Sequence, residues 1–367
     1  MSDDDVAAVA LASLPEMGPV RLRKLLDACA CSPACASAAF ALVSSGRVGS
    51  VFATDPRASH LAGEWAKRAA SIDLPGLRAT LEQRGTRVMR DGSDGYPIED
   101  GLPDRPPLLL GEGAREIALD GPRVAVVGTR AATPHGLADA YDLGADLAGA
   151  GITVVSGLAI GVDAAAHEGA LDADGSVIGV IGTGLDCVYP RRHERLHARV
   201  RESGMLVTEY PLGTGPHQSH FPVRNRIIAM LADVVVVVEG TESGGTRFTA
   251  DKALEYGRTL MAIPGSRRNP VAAGCNALIA QGAQPLLRNE DVIEALGMTP
   301  GARRHAQCAE PESPDQLAVL AALGGEPATV DEIAARTSLT PGKAAVAIGA
   351  LVRSGAVRRA SGLLWPM

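Results

Sequence analysis

Short apolar runs recur along the middle of the chain, and each one ends at a glycine or a small polar residue. Such runs are typical of parallel strands that are covered on both faces. Longer alanine-rich segments with helical spacing lie between them, so strands and helices alternate. The predicted strands are 124–127, 153–156, 177–181, 205–207, 234–238, 260–263 and 285–287. The pattern predicts an α/β fold with an extended, Rossmann-like parallel sheet and one wide groove at the carboxyl edge of its strands.

Both flanks of this core have a different pattern. Residues 1–85 are rich in alanine and leucine and predict a helical domain, in which 14–26 resembles half of a helix-hairpin-helix or a SAM-like module. Glu16 stands where a hairpin of that kind needs glycine, and its carboxylate would repel phosphate. A packing module is therefore favoured over a DNA clamp. Two strands, 87–90 and 107–110, precede the alternation, and we assign 86–298 to the core.

The C-terminal part begins with a polar, proline-containing linker at 299–314. The segment 315–367 then predicts three helices, at 316–323, 330–336 and 341–354, and two short strands at 357–359 and 363–365. That order is typical of a winged helix. Its recognition helix carries only Lys343 and Arg353 as cations, which favours an interaction module over a reader of duplex DNA.

Composition narrows the class of protein. The 367 residues are 46% hydrophobic with a formal net charge of −7, which indicates a globular chain that is not coated with nucleic acid. The N-terminus lacks a signal-peptide pattern, and no apolar run approaches the roughly 20 residues of a membrane helix, so we expect a cytoplasmic protein. Cys29, Cys31 and Cys35 have no fourth ligand at zinc-finger spacing, and we expect neither a metal nor a cofactor.

Positive charge is concentrated in three segments. Residues 210–232 and 256–289 contain arginines and no acidic residue, and 191–201 contains five arginines, beginning with Arg191 and Arg192. The first strand of the alternation ends at Gly128, Thr129 and Arg130, before a helix predicted at 137–150. A strand, a glycine turn and a helix N-terminus predict an anion site, to which Arg130 adds a guanidinium suited to phosphate.

Residues 221–226 read Phe-Pro-Val-Arg-Asn-Arg and precede an apolar helical run. Alternate arginines at 224 and 226 can meet successive phosphates, and Asn225 can bond a base edge or a turn. The alternative is a structural turn in which the arginines pair with Glu209 or Glu239.

A second glycine turn and several aromatic residues complete the predicted groove. Residues 242–246, with Ser243 and Gly244, form another turn rich in N–H groups after a strand, and Arg247 follows. Four aromatic residues fall at predicted strand-end loops: Tyr189, Tyr210, Phe221 and Phe248. A cationic groove with aromatic steps is how proteins hold single strands without strong sequence preference. Buried packing is the alternative for any one of these rings.

Several enzymatic motifs are missing or incomplete. The chain has no Gly-x-Gly-x-x-Gly after the first strand of the alternation and no P-loop, and Ser156 lacks the first glycine of a nucleophile elbow. Asp163 and His167 lie four residues apart on one helix face. They fit either an acid–base pair or, the favoured interpretation, a network that shapes the groove.

Seven motifs in order carry a family resemblance. They include Ser-Gly-Leu-Ala-Ile-Gly-Val-Asp-Ala-Ala-Ala-His at 156–167 and Phe-Pro-Val-Arg-Asn-Arg-Ile-Ile at 221–228; the others lie at 127–130, 182–190, 208–211, 243–250 and 264–265. Together they resemble the DprA (Smf) family over residues 85–297. The resemblance implies a non-enzymatic protein that binds single-stranded DNA and loads the RecA recombinase during natural transformation, usually as a homodimer.

By the same resemblance, Arg130, Arg224, Asn225 and Arg226 would contact DNA, and Ser243 and Gly244 would line the same groove. Members of the family often have lysine where this chain has Glu242, and Arg247 is a possible substitute. Two alternatives stay open. One is a Rossmann-type nucleoside monophosphate phosphoribohydrolase, although the sequence assigns no residue as the carboxylate that would transfer the proton. The other is a ligand-sensing repressor that uses its winged helix.

Overall fold

The computed structural model of the chain describes residues 1–30, 35–114, 121–298, 313–324, 327–353, 356–360 and 363–366. It contains two compact units, Met1–Pro300 and Gly301–Met367. No described helix has the length and apolar character needed to cross a membrane. The described residues hold no group of three or more histidine, cysteine or carboxylate side chains that could bind a metal ion. Cys31 lies outside the described residues.

Five helices open the larger unit. They are α1 (Asp3–Ala12), α2 (Pro19–Asp27), α3 (Cys35–Ser44), α4 (Pro56–Ala70) and α5 (Leu74–Arg84). Their apolar faces share a core with one side of the sheet, and Phe52 and Trp65 meet edge to face within it, 5.3 Å apart. Glu16 has a φ of +53°, a conformation that favours glycine, and its carboxylate is held by the guanidinium of Arg57 at 2.6 Å.

A nine-stranded sheet follows. Its strands are β1 (Arg87–Arg90), β2 (Leu108–Glu112), β3 (Arg123–Val127), β4 (Thr153–Ser156), β5 (Val177–Val180), β6 (Met205–Thr208), β7 (Val234–Val237), β8 (Thr259–Ala262) and β9 (Gln284–Pro285). They lie in the order β1-β2-β6-β5-β4-β3-β7-β8-β9. Only β2 runs against its neighbours β1 and β6; every other pair in this sheet is parallel.

Helices cover both faces of this sheet. In chain order they are α6 (Pro134–Gly149), α7 (Val162–Asp172), α8 (Glu194–Ser203), α9 (His220–Leu231), α10 (Gly245–Glu255), α11 (Ala273–Ala280) and α12 (Glu290–Ala295). Because strand side chains alternate, Val124 and Val126 of β3 join the core beneath α6 and α7, whereas Ala125 and Val127 join the core beneath α9 and α10. The apolar strand pattern therefore reflects burial on both faces, and the α/β prediction is confirmed.

The strand order reverses at β3. From β3 the chain adds β4, β5 and β6 on one side and then β7, β8 and β9 on the other. At such a switch point the crossover helices lie on opposite faces, so a crevice opens beyond the carboxyl ends of the two central strands. The fold thus places a crevice beyond Val127 of β3 and Val237 of β7.

The smaller unit contains α13 (Pro314–Leu323), α14 (Val330–Arg336), α15 (Pro341–Arg353) and the antiparallel pair β10 (Val357–Ala360) and β11 (Leu363–Pro366). Thr329 and Glu332 form a reciprocal capping box at the start of α14. Val319, Ile333 and Ile348 belong to a separate apolar core. The predicted helices and wing are confirmed.

Two helices begin earlier than the sequence pattern indicates. Helix α6 starts at Pro134 rather than 137, with Thr133 as its N-cap. Helix α9 starts at His220, so Phe221, Arg224 and Arg226 lie inside it rather than before it. Proline is tolerated in a first helical turn, which is why Pro222 does not delay the start of α9.

Candidate nucleic-acid interface

A cavity of about 540 Å³ occupies the crevice at the switch point. Its walls come from the turn after β3, the start of α7, one face of α9 and the first turn of α10. Six predicted site residues line it: Gly128, Arg130, Phe221, Arg224, Asn225 and Gly244. Gly128 is required by close packing, because a Cβ there would lie 2.4 Å from the Val162 side chain.

Arg224 and Arg226 are directed to different environments. In an extended segment, residues two apart share a face, whereas in a helix they are about 200° apart. Because both arginines lie within α9, they cannot present a row of two guanidinium groups to successive phosphates. The expectation of two outward-facing cations is corrected: both side chains are buried.

Arg224 lines the cavity from a buried position. Its Nη1 donates to the carbonyl oxygens of Gly157, at 2.6 Å, and Val180. Burial lowers the pKa of the Arg224 guanidinium to about 10, and the Asp163 carboxylate opposes this shift, so the side chain keeps its charge at neutral pH. A Cβ on Gly157 would lie 2.7 Å from either terminal nitrogen of Arg224, so the guanidinium needs glycine at this position.

Arg226 pairs with Glu209 on the other side of α9. The side chains of Arg226 and Glu209 are only 7% and 3% exposed. Burial raises the pKa of the Glu209 carboxyl, and Arg226 acts in the opposite direction. The sequence alternative of a structural ion pair with Glu209 therefore describes Arg226. The cavity contains no Arg226 atom among its walls.

Arg130 is the exposed cation of the cavity. Its guanidinium carbon lies 5.4 Å from the centroid of the Phe221 ring, within cation–π range. Phe221 in turn packs at 5.2 Å against Tyr189, which also lines the cavity. Within the described part of the chain, Arg130 forms no ion pair. The wall therefore combines a guanidinium that forms no ion pair among the described residues with two aromatic rings.

The anion site predicted at the start of α6 is already occupied by the protein. Glu239, at the end of β7, accepts hydrogen bonds from the amide and the hydroxyl of Thr133. The Thr133 hydroxyl accepts from the amide of Gly136. An internal carboxylate thus satisfies this helix end, and the prediction of a phosphate site there is corrected.

The start of α10 is open instead. Gly244 is its N-cap and supplies no side-chain hydrogen bond, and Gly244, Gly245 and Thr246 all line the cavity. The first amide groups of a helix carry partial positive charge and need acceptors. Together with Arg130, which lines the same cavity, they make the site rich in donors and suited to an anion.

Asp163 lines the cavity, whereas His167, one turn further along α7, is fully buried and is not among the lining residues. The Asp163 carboxylate accepts hydrogen bonds from the amides of Gly157, at 3.0 Å, and Ala159. Burial raises the pKa of the Asp163 carboxyl. Burial also lowers the pKa of His167 to about 3, which keeps its ring neutral. Ser156 donates to the carbonyl of Val126 at 2.6 Å. The contacts of Asp163 and Ser156 fit the favoured interpretation of side chains that shape the groove.

The remaining predicted residues lie outside the cavity walls. Arg191 and Arg192 are exposed in a 3₁₀ turn that follows Tyr189. Ser243 is exposed beside the N-cap of α10, and Arg247 pairs with Asp251 at 2.8 Å. Tyr210 stacks on His220, with ring centroids 4.2 Å apart, and Phe248 lies in α10.

Sequence reasoning did not single out several lining residues, among them Gln218 and Thr241. Thr246 and Thr249, which the sequence placed in the glycine turn and at the start of the following helix, do line the cavity.

Fold and site together define a doubly wound α/β protein with a winged-helix unit and a donor-rich crevice for an anionic ligand. The profile of the family described as DNA recombination-mediator protein A matches residues 87–297, and the DprA winged helix domain matches residues 303–362. The chain belongs to this family, known as DprA or Smf. Membership indicates a DNA-processing, recombination-mediator role.

Individual relatives agree. The DNA processing protein DprA of Bacillus subtilis is 36% identical over 239 residues, which cover 65% of this chain and 79% of the relative. The X-ray structure of DprA from Streptococcus pneumoniae aligns with a TM-score of 0.65 at 29% identity, covering 80% of this chain and 98% of that one. A Helicobacter pylori DprA structure, described for its single-stranded DNA binding mode, aligns with a TM-score of 0.52 at 28% identity, covering 57% and 95%.

Proposed function

We propose that this protein is a recombination mediator that binds single-stranded DNA along the carboxyl edge of its sheet. In this proposal it protects incoming strands and loads RecA onto them during natural transformation, as a cytoplasmic homodimer. The supporting relative is the H. pylori protein, whose structure concerns single-stranded DNA. The action on RecA rests on membership in the recombination-mediator family.

The observation that carries the proposal is the pairing of Arg130 with the aromatic wall. Arg130 provides a permanent cation at the mouth of the cavity, over the ring of Phe221. Unpaired bases expose flat faces that stack on aromatic rings, and their phosphates need cations. A duplex hides those faces. The wall therefore favours single strands over duplexes.

Two further features assign separate roles to the predicted residues. The open start of α10 offers amide donors to a phosphate next to Gly244. Arg224 adds a fixed positive potential without leaving its buried site. We assign direct phosphate contact to Arg130, extended by Arg191 and Arg192, and an indirect role to Arg226 through its pair with Glu209.

Titration of single- and double-stranded oligonucleotides at two salt concentrations tests the binding. On single strands the logarithm of affinity falls by about 0.7 per phosphate contact for each tenfold rise in salt. We expect Arg130→Ala to weaken binding and to reduce that slope by about 0.7. Arg68→Ala is the matched control, because Arg68 is exposed on α4 and forms no ion pair in the described part of the chain. Equal binding by both variants would contradict the assignment.

RecA loading needs its own assay. Filament formation by RecA on single strands coated with a single-strand-binding protein is expected to begin faster when this protein is added. Arg130→Ala is expected to lose the acceleration in proportion to its lost DNA affinity. If the wild-type protein binds single strands yet leaves RecA nucleation unchanged, the mediator step is wrong and the binding assignment stands.

The absence of catalysis is part of the proposal. Among the described residues that line the cavity, one carries a carboxylate, Asp163. Its Oδ2 accepts two backbone hydrogen bonds. Asp251, the other candidate, pairs with Arg247 in α10. Neither is placed as a free general acid or base. Release of adenine from adenosine monophosphate, lost in Asp251→Asn or Asp163→Asn, would overturn this part of the proposal.

A further inference from the structure

Asn225 lies in the middle of the cavity-facing stripe of α9. Phe221, Asn225 and Ile228 are spaced four and three residues apart, which places them on one face of a helix, and all three line the cavity. The amide therefore stands between an aromatic and an aliphatic side chain. A polar side chain that is flanked by aromatic and aliphatic neighbours is well placed to orient a flat ligand in a pocket.

The orientation of this amide follows from its neighbour. Arg224 Nε lies 3.1 Å from Asn225 Oδ1. A guanidinium nitrogen only donates, so the atom facing it must be the amide oxygen. Arg224 cannot turn away, because the carbonyl groups of Gly157 and Val180 hold its other end. The amide nitrogen of Asn225 therefore points away from the Nε of Arg224.

With its oxygen held by Arg224, the donors that Asn225 can offer to a ligand in the cavity are the two hydrogens of Nδ2. Within the described residues this nitrogen forms no hydrogen bond. An amide group that lines a cavity and has lost its acceptor to a neighbour can recognise a ligand only as a donor. It discriminates against a ligand that places an amine at the same point, because two donors then face each other.

A nucleobase enters such a cavity with a defined leading edge. The phosphate and sugar stay with Arg130, the exposed residue, so the atom farthest from the sugar goes deepest. In a pyrimidine that atom is C4, which carries a carbonyl in uracil and thymine and an amine in cytosine. In a purine the corresponding atom is C6, a carbonyl carbon in guanine and an amine-bearing carbon in adenine.

We propose that Asn225, with its oxygen fixed by Arg224, is a specificity-determining residue that favours keto nucleobases over amino nucleobases in the cavity. This inference rests on the proposed binding of single-stranded DNA and deepens it. It assigns phosphate contact and base preference to different residues, Arg130 and Asn225.

Two homopolymers of equal length test the preference. Oligodeoxyuridine and oligodeoxycytidine share size and charge and differ on the edge that carries C4; neither has the thymine methyl. At pH 8 and one fixed salt concentration, one hydrogen bond gained or lost predicts binding to oligodeoxyuridine that is roughly three- to tenfold tighter. Equal affinities for the two oligomers would overturn the inference.

Substitutions give the sharper test. Asn225→Asp keeps one oxygen on Arg224 and turns the second oxygen into the cavity, so the ratio of affinities is expected to invert in favour of cytosine. Asn225→Ala is expected to bring the ratio to about one. Arg130→Ala is expected to weaken both oligomers and keep the ratio. A uniform loss in Asn225→Ala, with the ratio kept, would show that the amide contacts phosphate and would overturn the inference.

Failure of the inference is distinguishable from failure of the proposed function. A wild-type protein that binds neither oligomer contradicts the proposed function itself. A protein that binds both equally leaves that function intact and removes only the role of Asn225. Thermal unfolding of each variant checks that changes in the ratio do not come from misfolding.

Discussion

The carboxylate of Glu239 lies against Thr133, accepting from its amide at 2.8 Å and from its hydroxyl at 2.6 Å. The backbone oxygen of Glu239 also accepts from the amide of Thr129 at 2.7 Å. Glu239, two residues after the end of β7, therefore binds both the turn after β3 and the start of α6. It fixes the two central strand ends between which the cavity opens.

This contact predicts that Gly136 tolerates no side chain. A Cβ on Gly136 would lie 2.4 Å from the Glu239 carboxylate, so Gly136→Ala is expected to lower the free energy of unfolding by about 1–3 kcal/mol. Gly149→Ala in the same helix has open space around the new methyl group and is expected to be neutral or slightly stabilising. Denaturant titration measures both, and equal losses would contradict the packing argument.

The buried pair of Arg226 and Glu209 predicts a stability effect rather than a direct DNA effect. Arg226→Ala leaves Glu209 buried without its partner and is expected to cost about 3–5 kcal/mol of unfolding free energy. Replacing both residues, as Arg226→Met with Glu209→Leu, is expected to recover much of that loss. Urea titration of the two proteins tests this, and a single variant of wild-type stability would refute it.

The same variant has a predicted pH dependence. Burial raises the pKa of the Glu209 carboxyl in the folded state, so the folded protein holds this proton more readily than the unfolded chain. Stability then falls as pH rises above the ordinary value of 4.5. Without Arg226 the pKa lies higher still, so this fall should extend to higher pH in Arg226→Ala than in the wild type.

Two buried histidines predict a loss of stability in acid. Burial lowers the pKa of His167 to about 3 and of His197 to about 4. The unfolded chain therefore binds more protons than the folded protein below pH 6.5, and stability falls as pH falls. Between pH 6.5 and 5 each histidine contributes about 2 kcal/mol of this loss.

Urea titrations at pH 7.5 and 5 measure the effect. His167→Gln is expected to flatten the difference between the two pH values by about 2 kcal/mol. His60→Gln, at an exposed position on α4, is expected to leave it unchanged. A difference of equal size in all three proteins would place the acid sensitivity elsewhere.

Glu242 predicts a gain of affinity. It is exposed two residues before the open N-cap of α10, where its charge repels an incoming phosphate. Glu242→Lys is expected to tighten single-strand binding several-fold at low salt and to steepen the salt dependence by about 0.7. Glu64→Lys changes the net charge equally at an exposed position on α4. If both variants gain equally, only the overall charge matters.

The sequence predicted the elements of the fold well where a single pattern, such as an almost wholly apolar run, was enough to identify an element. The strands around β3 were predicted to within a residue or two because both faces of each are buried, which leaves almost wholly apolar runs. The start of α9 was missed because Phe-Pro-Val-Arg-Asn-Arg carries no apolar helical period. Arg224 and Arg226 are held within this helix by contacts to Gly157 and Glu209, which are distant in sequence and which a local pattern does not contain.

The site was predictable in its location and less so in its detail. Glycine turns at strand ends indicated the correct edge, and Arg130 and Gly244 do line the cavity. The occupation of the α6 terminus by Glu239 joins residues more than a hundred positions apart. Local sequence spacing carries no information about a contact between residues so far apart. A helix N-terminus with free amide groups and one whose amide groups are already hydrogen-bonded therefore look alike in sequence.

Gly157 extends the list of positions on which recognition depends. Because Gly157 has no side chain, the Arg224 guanidinium can pack against its backbone. Any larger residue would overlap that guanidinium and the Asp163 carboxylate. A screen that mutates only ligand-touching residues would therefore pass over it. Substitution of Gly157 is expected to displace the buried Arg224 guanidinium and to weaken ligand binding, although no exposed residue has been changed.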